Sequence, residues 1–157
     1  GLRIVSAVRA RHDGLRRNPF NEPECGNHYV RGLSSWSLLP ALAGFRWCGP
    51  EAALRFVPTL AGRRFRSFFS AGSAWGVAEE GRSGKGALVS FLVEGGMLSL
   101  RRLMLSPAMA RLERCWIEPS KTFLKGAVSR QRGETKVEFQ GAVEIRAGEA
   151  LVLSFSR

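Results

Sequence analysis

Leu88-Val89-Ser90-Phe91-Leu92-Val93-Glu94-Gly95-Gly96-Met97-Leu98-Ser99-Leu100-Arg101-Arg102-Leu103-Met104-Leu105 decides the fold of the longer, C-terminal part of this chain. Apolar runs flank a Gly-Gly pair. Glycine adopts the positive φ that tight hairpin turns need, so the pattern predicts strands at Leu88–Glu94 and Met97–Leu105 joined as a hairpin. Towards the N-terminus, Phe65–Phe69 and Trp75–Val77 read as short aromatic strands separated by Ala71, Gly72 and Ser73. Towards the C-terminus, Val137 with Phe139, Val143 with Ile145, and Leu151, Leu153 and Phe155 alternate with polar residues as half-buried strands do. Gly133-Glu134, Gly141 and Ala147-Gly148 punctuate these runs. Residues 51–157 are therefore expected to form a sheet layer or sandwich.

Upstream of about residue 50 the period changes from 2 to 3.6. Leu2, Val5 and Val8 recur at helical spacing until the Asp13-Gly14 turn signal, which predicts a helix end over residues 1 to about 12. From about Asn27 to Phe45, Tyr29, Leu33, Trp36, Leu39 and Ala43 form one stripe that Val30, Leu38, Leu42 and Phe45 widen. A helix so apolar should be buried, with Pro40 kinking it or marking a turn and Gly44 stopping it. The fold class expected is α+β, helical over 1–50 and β-rich over 51–157. The chain opens on Gly1 with an apolar pattern already running, which reads as the C-terminal piece of something longer.

The net charge of +11 raises a nucleic-acid hypothesis, since clustered cations neutralise phosphates. Of the 24 basic residues, 20 are Arg and 4 are Lys, scattered without a run longer than two, so no nucleic-acid partner is expected. Cys25, Cys48 and Cys115 are odd in number and widely spaced, which argues against a disulfide framework and for a reducing, cytoplasmic setting. Cys25 and His28, with His12 upstream, make a meagre metal set, and a small buried Cys25 is the better reading. Neither metal nor cofactor is expected. No apolar run reaches the roughly 20 residues a membrane-spanning helix needs, so stable membrane insertion is not expected either.

Between the two helical stretches lies Arg16-Arg17-Asn18-Pro19-Phe20-Asn21-Glu22-Pro23-Glu24-Cys25-Gly26-Asn27-His28-Tyr29. Carboxylates, amides, an imidazole, a phenol and guanidiniums gather there in a turn-rich loop. A pyranose offers hydroxyls that both donate and accept, and this inventory matches them. The competing reading is a polar loop whose carboxylates cap the following helix.

That loop, with the following Val30-Arg31 and Ser34-Ser35-Trp36, resembles the end of the catalytic domain in glycoside hydrolase family 116, the non-lysosomal glucosylceramidases and microbial β-glucosidases. Phe65-Arg66-Ser67-Phe68-Phe69-Ser70 and Trp75-Gly76 resemble the segment after that helix in bacterial members, so the likeness spans roughly residues 8 to 78. The resemblance implies the terminal helices of an (α/α)6 barrel over 1–50, followed by a β-rich, sandwich-like region over 51–157. It also implies retaining hydrolysis of a β-linked glucoside, with both catalytic carboxylates upstream and none in this chain. The resemblance carries over a glutamate and an arginine that hold glucose hydroxyls, matched by Glu22 and Arg31. Asn21 belongs to the same expected site. Glu24 is either a second hydroxyl ligand or a brace for Arg31, and His28 either meets a hydroxyl or satisfies a backbone carbonyl. Tyr29 and Trp36 read as core rather than as stacking platforms. A non-catalytic β-rich carbohydrate-binding or structural module is the alternative.

Overall fold

The computed structural model describes residues 1–17, 36–60, 62–84, 86–107, 109 and 111–156. They fall into two compact units, Gly1–Ser37 and Leu38–Arg157. In the first, α1 (Leu2–Arg11) follows the Leu2, Val5 and Val8 spacing. Arg9 and Arg11 occupy its last turn, where cations complement the helix dipole. The chain leaves through an Asx turn, with Asp13 Oδ1 accepting from the backbone N–H of Leu15 at 3.0 Å and Arg16 at 2.8 Å.

The second unit is built on two sheets. After α2 (Leu38–Ala43) come β1 (Arg46–Cys48), β2 (Ala53–Phe56), β3 (Arg64–Ala71), β4 (Ala74–Ser83), β5 (Gly86–Gly95) and β6 (Met97–Leu105). Then follow β7 (Arg111–Glu118), β8 (Thr122–Phe123), β9 (Gly126–Gln131), β10 (Glu134–Arg146) and β11 (Ala150–Ser156). A five-stranded sheet runs β1-β2-β6-β10-β9 and a six-stranded one β3-β4-β5-β11-β7-β8. Within them only β2 and β6 pair in parallel.

The expected fold class is corrected by this architecture. Strand takes 60% of the described residues and helix 13%, so the chain is mostly β rather than α+β with a helical-barrel portion. The helix expected from about Asn27 to Phe45 lies outside the described residues as far as residue 35, and its described end is α2. Gly44, at φ +55°, ends it, and a Cβ there would lie 2.0 Å from the Val57 carbonyl oxygen. The Leu42 and Ala43 carbonyls accept from the N–H groups of Thr59 at 2.9 Å and Val57 at 3.1 Å, which ties the helix end to the chain after β2. Pro40 falls in the first turn, where its missing N–H costs nothing.

Gly95-Gly96, expected to turn a hairpin, does not. It carries the chain from β5 in one sheet to β6 in the other. Gly96 has φ +73° and abuts Ser73, where an added Cβ would be 2.0 Å from the carbonyl oxygen. Gly95 lies against the Trp75 indole. β5 pairs instead with β4 and β11, and β6 with β2 and β10.

Alternation along the strands fills the interior. Val89, Phe91 and Val93 of β5 and Leu98, Leu100, Leu103 and Leu105 of β6 are fully buried. The alternation in β6 shifts by one residue at Arg101-Arg102, where both N–H groups donate to the Ala52 carbonyl and β10 changes register between Glu138 and Val143. Phe91 meets Phe56 edge-on at 5.7 Å and Phe69 at 6.2 Å between ring centres. Such pairs contribute about 0.5–1.5 kcal/mol beyond burial. Phe56 and Phe139 are buried, whereas Phe68 points outward and is half exposed.

Candidate functional site

Asn21, Glu22, Glu24, His28 and Arg31 all lie outside the described residues, as do Cys25 and Tyr29. Of their described companions, His12 places Nδ1 3.2 Å from the Val8 carbonyl oxygen. Trp36, expected in the core, is 70% exposed.

Within the Leu38–Arg157 unit, strand register assembles a second set of groups. Arg66, Glu79, Ser90, Val152, Trp116 and Phe123 stand opposite one another in one row across the six-stranded sheet. Phe68, Val77, Leu92, Ala150 and Glu118 form the next. Inward-facing residues alternate with these rows, so both rows lie on the outer face. Antiparallel sheets usually present polar side chains outward, whereas Phe68, Trp75 and Leu88 are about half exposed here.

At the sheet edge, Trp116 Nε1 donates to Glu118 Oε1 at 2.7 Å, and Lys121 Nζ donates to the same oxygen while sitting 5.9 Å from the indole centre. The Lys121 hydrogen bond, then that of Trp116, holds the Glu118 carboxyl below the usual range. A carboxylate hydrogen-bonded to an indole is chemistry that suits a sugar face with flanking hydroxyls.

A groove of about 460 Å³ crosses the end of the same sheet. Its walls are Arg63, Arg64, Gly81, Arg82, Ser83, Gly86, Ala87, Leu88, Ser154 and Phe155. Arg82 donates through Nε to Glu80, which is 3% exposed and accepts a second hydrogen bond from Ser106 Oγ at 2.7 Å. Arg64 meets Glu79 through Nε at 2.5 Å and Nη2 at 3.1 Å. The Arg64 hydrogen bond lowers the Glu79 carboxyl, and Glu79 in turn raises the Arg64 guanidinium. Gly81 keeps the floor open, because a Cβ there would meet nothing closer than the Leu88 carbonyl oxygen at 4.0 Å. Gly86 lets β5 approach β11, where any Cβ would strike the Phe155 carbonyl.

Sequence reading did not find this groove. Arg63-Arg64 and Gly81-Arg82-Ser83 are its only local signals, and they converge only when β3 and β4 are paired in the Arg64↔Gly81 register. Cys48 and Cys115 are free thiols, and burial pushes Cys115 up to about 12. No group of His, Cys, Asp and Glu among the described residues is placed to hold a metal ion. Fold and surface together define a two-sheet β unit with an apolar, aromatic outer face and a cationic groove. No family model matches the chain, and no curated protein matches it.

Proposed function

We propose that this chain is the C-terminal part of a retaining β-glycosidase acting on a β-linked glucoside, supplying sugar contacts to a site whose nucleophile and acid/base come from preceding residues. The observation that carries the reading is the run Asn21, Glu22, Glu24, His28 and Arg31, a set of hydroxyl partners within one short loop. Glu22 accepts from two sugar hydroxyls, and Arg31 donates to the same ring. Charged hydrogen bonds of this kind contribute roughly 1.5–3 kcal/mol each. Retention requires two carboxyl groups about 5 Å apart. Among the described residues, the buried carboxylate Glu80 is already committed to Arg82 and Ser106, which suits a catalytic pair located elsewhere. Hydrolysis of a chromogenic β-glucoside by the parent polypeptide, followed by NMR of the released sugar, tests the proposal. The β-anomer as first product supports it; the α-anomer, or no hydrolysis, overturns it.

A second reading, a non-catalytic carbohydrate-binding module, is favoured by the outer face bearing Phe68, Trp75, Trp116 and Phe123. Aromatic rings in an exposed sheet face offer stacking surfaces to successive sugar rings. Retention of this chain on an insoluble β-glucan, lost in a Trp75→Ala, Phe68→Ala double variant, would favour that reading over the first.

A further inference from the structure

We propose that the groove at the end of the six-stranded sheet is an oxyanion site for an acidic saccharide, a sugar bearing a carboxylate or sulfate group. The proposal rests on the preceding reading of the chain as a sugar-handling protein.

The groove holds more donors than its own carboxylates use. A guanidinium carries five N–H donors in a planar fork. Arg82 spends only Nε, on Glu80, and neither of its Nη groups makes a hydrogen bond among the described residues. Arg64 spends Nε and Nη2 on Glu79 and keeps Nη1. Arg63 makes no side-chain hydrogen bond or ion pair within the described residues, and its carbonyl accepts from the Arg82 N–H at 2.7 Å, which holds the two backbones side by side. Ser154 adds a hydroxyl to the groove wall.

Charge points the same way. Arg63, Arg64 and Arg82 line the groove, and Arg66 acts on Glu79 from directly opposite it on β3; the carboxylates that pair with these arginines are Glu79 and Glu80. Positive charge is therefore in excess. The carboxylates orient the guanidiniums rather than cancel them, since Glu80 is fixed in turn by Ser106. A pre-oriented guanidinium loses less freedom on binding than a free one, and planar forks match carboxylate and sulfate oxygens.

The groove also has an apolar side. Leu88, 47% exposed, stands beside Gly81, whose missing side chain leaves room for a ring. Bare inorganic anions have no use for that space, whereas a sugar ring carrying the anion fills it.

The test is an NMR titration of this chain with cellobiouronic acid, cellobiose and sodium sulfate, following the amides of Gly81, Ser83, Gly86 and Leu88. The acidic disaccharide is expected to shift these amides at a concentration at least tenfold below either control. Raising the salt should weaken it. Arg63→Gln removes an exposed side chain and should weaken binding about tenfold without altering the spectrum elsewhere. Ser154→Ala, a second fold-neutral change, should weaken it several-fold. Equal response to cellobiose would overturn the ionic basis, and equal response to sulfate would overturn the sugar. No response at millimolar ligand would overturn both. None of these outcomes touches hydrolysis by the parent polypeptide, so failure here is distinct from failure of the glycosidase reading.

Discussion

Ser106 Oγ donates to Glu80 Oε2 across 2.7 Å, and this bond joins the two sheets, because Glu80 lies on β4 of the six-stranded sheet and Ser106 directly follows β6 of the five-stranded one. Glu80 is a charge at the rim of an apolar interior. Arg82, on the same strand and face, supplies its counter-ion. A buried carboxylate deprived of a partner keeps its desolvation cost. Ser106→Ala should therefore cost about 1–3 kcal/mol, read as a lowered urea midpoint with an unchanged slope. Glu80→Gln, which removes charge and keeps shape, should cost less than Arg82→Ala, which strands it.

Gly96 sets the second expectation. Its φ of +73°, and the 2.0 Å that would separate an added Cβ from the Ser73 carbonyl oxygen, leave no room for alanine. Gly96→Ala should cost roughly 1–3 kcal/mol in thermal or urea unfolding. Gly133→Ala, at φ +82° but in open space, should cost less.

Phe91 is fully buried and touches Phe56 and Phe69 edge-on. Phe91→Ala should cost about 3–5 kcal/mol, while Phe68→Ala on the outer face should change stability by less than about 1 kcal/mol. Equal losses at the two sites in urea melts would contradict the assignment of inner and outer faces.

Acid should weaken the sheets. Glu79, Glu118 and Glu138 are each held below the usual carboxylate range, by hydrogen bonds from Arg64, Lys121 and Lys136 respectively. A carboxyl whose folded pKa is depressed stabilises the fold fully above its unfolded value of about 4.3 and loses that contribution as pH falls through the lower folded value. The urea midpoint is thus expected to be flat across neutral pH and to decline below about pH 4.3. High salt should flatten the decline, since these pairs are largely exposed.

Periodicity encodes which face of a strand is buried, and it does not encode which strand lies beside it. The strands around Phe69, Phe91, Leu98 and Leu153 were legible because alternation marks the buried face of each. Their partners were not, because alternation is the same whether Leu88–Glu94 pairs with Met97–Leu105 or crosses from one sheet to the other. Gly95-Gly96 serves a hairpin and an inter-sheet crossing with one chemistry. Leu38, Leu39 and Leu42 read as helix and lie in α2, which Gly44 and the hydrogen bonds from Val57 and Thr59 close where the glycine marked the stop. The loop read as sugar-binding chemistry at Glu22 and Arg31 lies outside the described residues. The arginine groove was hidden because Arg63 and Arg82 are distant in sequence and meet only through strand register.

The most direct measurement of the central claim is kcat/KM for a chromogenic β-glucoside with the parent polypeptide and its Glu22→Gln variant. Loss of one charged hydrogen bond to the sugar predicts a fall of about tenfold to a hundredfold, with Arg31→Gln falling comparably and the fold unchanged by circular dichroism. Unchanged kcat/KM in both variants would contradict the assignment of this loop to the substrate site.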